Sequence, residues 1–301
     1  MRISTSAYFN INSAAMQTKQ SDLVYIQQQI ATGRRIVTPS DDPVGATRAL
    51  QTARALAASE NNLENIKRAE VQIKSESTVL DTIRKAVSSA RDVAIGAGGN
   101  PSSQERTSFA NYLEQIYKDL QDYANTTDAE GNYIFSGFKG DTAPFQQLNG
   151  ASDYRGDSAS RFVTITSGRQ IQVSNSGQAV FGVGTADDPF ALIAQLVTDL
   201  RDTTLTQPAY EAAIANAVDG LGNALDNIIS ISDQVARRFQ ELKVASDAET
   251  QFKLQYQIEL DRVEAVDVQQ AAIDLKMQQV SLEATQKAFI SSTQLSLFSL
   301  L

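Results

Sequence analysis

The side chains in this sequence best placed to do chemistry are acids. Asp41 and Asp42 are adjacent in TGRRIVTPSDDPVGA, residues 32–46. Acid–base catalysis uses such a carboxylate pair when the two environments push the protonation states apart. Gly182-Val183-Gly184 resembles the start of a phosphate-cradling loop, and Asp261, Glu264 and Asp267 lie close together in the chain. Each has a simpler structural reading. A dinucleotide fingerprint needs a preceding strand, a third glycine and a following helix, and Asp187 stands where the third glycine belongs. Asp42 directly before Pro43 has the form of a helix N-cap with proline at N1, which leaves Asp41 a solvated acid beside Arg34 and Arg35. The later acids read as the solvated face of a helix. With no Cys, no His and no Trp, thiolate nucleophiles, zinc sites built on Cys or His, haem ligation and His-based triads are excluded. The expectation is a non-enzyme with no catalytic, cofactor-binding or metal-ligating residues and no cofactor.

The chain has 301 residues, with 26 Lys and Arg against 35 Asp and Glu, a formal charge of −9. This balance argues against nucleic-acid partners and anionic membrane surfaces, which need clustered cations. Hydrophobic residues make up 42%, too many for wholesale disorder. No run approaches the roughly 18 apolar residues that would span a bilayer, so no membrane insertion is expected. The N-terminal MRISTSAYFNINSAAMQTKQ has no continuous apolar segment and is not a conventional secretory signal.

Few charges occur in the first 32 residues. Phe9, Met16, Leu23 and Ile30 recur by sevens, with Ile26 at an alternate position and polar Asn12 and Lys19 completing the seam. Gly33 ends that helix. From Pro43 a second helical pattern starts, free of Gly and Pro between Ala46 and Ile95, in which Ile66, Ile73, Leu80, Val87 and Ala94 repeat by sevens and Ala69, Ile83 and Ala90 fill alternate positions. A helix of about 55 residues would be roughly 80 Å long. Gly96, Gly98 and Gly99 break it, and Ser102 with Glu105 forms a capping box for a shorter helix. Residues 141–186 form the β-rich stretch, where FVTIT (162–166) and QIQV (170–173) flank a Ser167-Gly168 turn. Asp188-Pro189 starts a short helix. Pro208 starts a second rod of about 55 residues, with Ile214, Leu221, Ile228, Val235 and Leu242 on its stripe.

The C-terminal 36 residues match the N-terminal ones in character. Leu275, Leu282 and Phe289 mark one face; Ile273, Met277, Val280, Leu295 and Phe298 mark a second. A helix apolar on two sides is built to be surrounded by protein. The expected fold is mainly α: a long-helix coiled-coil rod bundle with paired N- and C-terminal helices and a small inserted β-rich domain. The expected parts are 1–35 with 266–301, 36–140 with 187–265, and 141–186. The ends carry few large apolar residues against a large ordering cost, so they are expected to be disordered in the monomer and to fold on association. A cytoplasmic coiled-coil adaptor would satisfy the same residue patterns.

Four segments carry a resemblance. They are ATGRRIVTPSDDPVGATRAL (31–50), YANTTDAEGNYIFSGFKGDTAPF (123–145), YRGD (154–157) with VSNSGQAVF (173–181), and the ending STQLSLFSLL. Together they resemble the flagellin superfamily of bacterial flagellar axial proteins over nearly the whole chain. NYIFSG before a short β unit, and the LSLFSLL end, are more similar to the hook–filament junction family than to flagellin, which is the alternative. The resemblance implies type III export without a cleaved signal peptide and secretion to the flagellum. It also implies assembly with copies of itself as a ring layer, with hook-associated protein 1 beneath and flagellin above, and an export chaperone that masks the C-terminal segment. The assembly surface would be Phe9, Met16, Leu23, Ile30, Ile273, Leu275, Met277, Val280, Leu282, Phe289, Leu295 and Phe298. Arg34, Arg35, Asp41 and Asp42 would form an inter-layer loop.

Overall fold

A computed structural model describes residues 5–148, 151–166 and 168–298. Within them the chain forms seven helices and four short strands. It divides into two compact units, one made of residues 1–59 and 251–301, the other of residues 60–250.

The first unit is built on α1 (Thr5–Thr32) and α7 (Val268–Phe298). They run antiparallel: the Phe9 ring meets Phe289 at 5.2 Å, and Lys19 Nζ donates to Gln278 Oε1 at 3.4 Å. On α1 the half-buried residues include Asn12, Met16, Lys19, Leu23, Ile26 and Ile30, the alternating four-three seam expected from sequence. At the end of α1, Gly33 adopts φ +69°, a left-handed conformation that suits glycine. The main chain then forms a short antiparallel bridge. Arg35 N–H donates to Glu264 O at 2.6 Å, and Val266 N–H donates to Gly33 O at 3.0 Å. Asp267 Oδ1 accepts from the Gln269 and Gln270 N–H groups and so starts α7.

Two long helices contribute to both units: α2 (Pro43–Gly96) and α6 (Gln207–Glu264). In the first unit Arg48 pairs with Glu259. In the second, the heptad stripes become core: Ile66, Ile73, Leu80, Val87 and Ala94 of α2 are fully buried, and Leu221, Ile228, Val235 and Leu242 of α6 likewise. The second unit adds α3 (Ser103–Ala124) and α5 (Pro189–Arg201). The Ser102–Glu105 capping box forms in full, with Ser102 Oγ accepting from Glu105 N–H and the Glu105 carboxylate accepting from Ser102 N–H.

Two antiparallel hairpins also lie in the second unit: β1 (Phe145–Leu148) with β2 (Ala151–Tyr154), and β3 (Phe162–Thr166) with β4 (Arg169–Gln172). The second is the hairpin expected around Gly168, which has φ +88°. The first was not anticipated, because FQQL and ASDY lack apolar alternation. What holds it is a ring pair at its open end, Phe145 against Tyr154 at 5.2 Å. A one-turn helix, α4 (Gly177–Phe181), also falls inside the segment expected to be β, capped by Ser176 Oγ accepting from Ala179 N–H. Phe135, Phe145, Phe181 and Phe190 form one aromatic cluster, with ring centroids 4.9–6.0 Å apart. Ile165, Ile171 and Val173 share a single core with the helices.

Candidate assembly surface

The loop joining α1 to α2 holds the charged residues singled out from sequence. Asp41 is a turn-forming acid whose Oδ2 accepts from Val37 N–H (3.1 Å) and Thr38 N–H (2.7 Å), while its Oδ1 accepts from Thr38 Oγ1 (2.8 Å). These bonds, the Thr38 main chain foremost, hold its carboxyl below the usual range. Asp42 caps α2. Its Oδ1 accepts from Gly45 N–H at 2.8 Å and its Oδ2 from Arg35 Nη2 at 3.0 Å, and the Gly45 bond leads in holding this carboxyl low as well. Two carboxylates both stabilised in the charged form cannot divide into an acid and a base near neutral pH. Arg34 Nε pairs with Glu264 Oε2 at 3.3 Å, and Arg35 Nη2 also donates to Val263 O at 3.2 Å. All four side chains thus engage partners within the chain, although Arg34, Arg35 and Asp41 remain largely exposed.

Gly182-Val183-Gly184 is a turn. Gly182 (φ +58°) ends α4, Gly184 has φ +81°, and Asp188 Oδ1 caps α5 through Phe190 N–H at 2.9 Å. Asp187 accepts from Asn223 Nδ2 at 3.0 Å. Among the described residues no three His, Cys, Asp or Glu converge to hold a metal ion. No described helix is long and apolar enough to cross a membrane.

The terminal helices present a different kind of surface. At about 100° per residue, Leu275, Leu282 and Phe289 fall on one side of α7, roughly opposite Ile273, Met277 and Val280. The first set is half-buried in the α1–α7 pair. The second is 57%, 62% and 57% exposed, too open for residues of this size to be part of the unit's own packing. On α1, Met16, Leu23 and Ile30 serve the pair, and Phe9 is half-exposed even with its ring against Phe289. Leu295 and Phe298 lie on α7 beyond the described side chains. Ile11, Val24 and Ile290 are exposed as well; none falls on a seven-residue repeat with the others, so the heptad pattern does not single them out.

A paired terminal hairpin, two long helices and a small β segment match the layout implied by the resemblance of the quoted segments. Residues 3–139 match the family model for the bacterial flagellin N-terminal helical region. Flagellar hook-associated protein 3 of Salmonella typhimurium is 28% identical over 319 aligned residues, covering all of this chain and 99% of the relative. A candidate flagellar hook-associated protein from Vibrio parahaemolyticus has a similar structure, with TM-score 0.70, 22% identity, and coverage of 75% of this chain and 100% of that one. The flagellar junction protein of Legionella pneumophila gives TM-score 0.59 at 17% identity, covering 72% and 99%. The two structural likenesses establish the fold. Along its full length, the chain is similar to flagellar hook-associated protein 3, in line with the junction-type resemblance of its segments.

Proposed function

We propose that the chain is a structural junction subunit of the bacterial flagellum, assembling as a ring layer that connects the hook, through hook-associated protein 1, to the flagellin filament. The supporting observation is the apolar stripe Ile273, Met277 and Val280 on the solvent side of α7, opposite the stripe already used against α1. An apolar face left open in one copy, on a helix whose other face is satisfied, suits coverage by further copies. On this reading the paired ends form the contact between subunits, the long helices form the wall of the layer, and residues 141–186 form a minor outer part. The Arg34, Arg35, Asp41 and Asp42 loop sits where layers join. Export occurs without a cleaved signal peptide and with a chaperone on the C-terminal segment.

The test deletes residues 290–301 in cells that depend on this chain, then follows its export, its retention at the hook tip and filament growth. Loss of retained protein and of attached filaments is expected; normal attachment contradicts the reading. The match of residues 3–139 to the flagellin region keeps a filament subunit as the second reading. Growth on hook seeds separates the two, since a junction subunit stops at a short layer and flagellin extends into long filaments.

A further inference from the structure

One acid interrupts the buried stripe of α2. Ile73 and Leu80 flank Glu76, which takes the alternate position between them and is fully buried. Its Oε1 accepts from Asn175 N–H and from Asn175 Nδ2, both at 2.8 Å. Its Oε2 is buried with no hydrogen-bond partner. One turn earlier on the same helix, Gln72 Oε1 is also buried and unpartnered, and so is Nη1 of Arg238 on α6. Arg238 directs Nη2 to Asn175 Oδ1 instead, at 3.3 Å.

Unmatched atoms of this kind are rare in a folded interior, and their identities are informative. An ionised Glu76 in a low-dielectric interior would draw in the free guanidinium N–H. The structure leaves that bond unmade. Two unpartnered acceptors spaced i, i+4 on one helix face lack only a donor between them, and a protonated carboxyl provides one. We propose that Glu76 is carried as a neutral carboxylic acid with its proton on Oε2 directed at Gln72 Oε1, and that losing this proton to solvent swings the carboxylate from Gln72 to Arg238. Arg238 then releases Asn175, and the segment 173–176 loses one of its ties to the helices. The charged groups acting on Glu76 include Arg161 from the β segment, which faces Asp128 at 3.9 Å, and Arg238 from α6, the latter flanked by Arg237 and Glu241. Burial pushes the Glu76 carboxyl up, and the Asn175 bonds and the two arginines oppose it less strongly. A folded value above the unfolded one means that folding takes up a proton. The contribution is complete below the unfolded value and is lost as pH rises through the folded one.

The test is a carbon-13 NMR titration of the full chain labelled at the Glu side-chain carboxyl, with Glu76→Gln identifying the resonance. Glu76 is expected to titrate above the ordinary carboxylate range. Gln72→Leu, which removes the acceptor for the proton, shifts its midpoint to lower pH. Arg238→Gln, which removes the partner of the anion, shifts it to higher pH. An ordinary midpoint overturns the proposal. So does an upward shift in Gln72→Leu, the result if the Gln72 amide is turned to donate its NH2 to a carboxylate. Urea unfolding of the full chain over the same pH range needs no assignment, so it still decides if Glu76→Gln does not fold. The unfolding midpoint should fall as pH rises through the titration, with the fall moved down in pH by Gln72→Leu and up by Arg238→Gln. A fall that neither variant moves overturns the proposal.

Discussion

Asp41 and Asp42 show how a tempting carboxylate pair resolves into structure. Asp42 was legible as a cap because an acid before proline at the start of an apolar pattern has one dominant local geometry. Its tie to Arg35 was not legible, since that depends on the turn bringing residues seven apart into contact. Both acids have folded values below their unfolded ones, so their contribution is present above the ordinary carboxylate range and is lost as pH falls through the depressed values. Amide exchange should therefore show Val37, Thr38 and Gly45 N–H protected at neutral pH, with protection falling only at pH below the ordinary Asp range. Gly45 belongs to the same local design. A Cβ there would meet the Asp42 carboxylate and lie 2.7 Å from Ile36 Cδ1, so Gly45→Ala should cost about 1–3 kcal/mol by crowding, read from urea unfolding. Glu76 marks the limit at this scale. Its place in the α2 heptad was available in the sequence, but an acid there is normally read as solvated, and the Asn175 groups that meet its carboxylate come from a segment 99 residues away.

Among elements, the long helices were the most legible because a seven-residue repeat sustained over many turns leaves little choice of buried face. Leu80 illustrates it: predicted on the stripe, it is fully buried. Leu80→Ala should destabilise the second unit by about 2–5 kcal/mol. Ser102→Ala removes one half of the capping box and should cost about 1 kcal/mol, detectable as a lower unfolding midpoint. The β1–β2 hairpin escaped notice for a physical reason. Its strands carry Gln146, Gln147 and Asp153, and its stability comes from Phe145 reaching Tyr154, Phe181 and Phe190 across the fold. Such non-local contacts leave no periodic trace. The two faces of α7 were both visible in sequence, but which one pairs with α1 required the structure. Leu282→Ala should loosen the α1–α7 pair and speed exchange along α1. Val280→Ala, on the open side, should leave it within about 0.5 kcal/mol.

For the whole molecule, a composition without the side chains of thiol, zinc and His-triad chemistry fits a subunit whose work is contact. Lacking Cys and His, the chain offers helices, caps and apolar stripes, and its homologues are flagellar components. On the proposed function, the open stripe of α7 is covered by other copies when the subunit works. The direct measurement counts attached filaments by electron microscopy, and assays chain released to the medium, in cells whose only copy carries Met277→Asp with Val280→Asp. Both positions are open in the single copy, so folding and export should persist while the buried charges prevent assembly. Exported protein in the medium and cells without attached filaments are expected. Cells bearing filaments at the normal number and attachment, with two aspartates on that stripe, would contradict the proposed function.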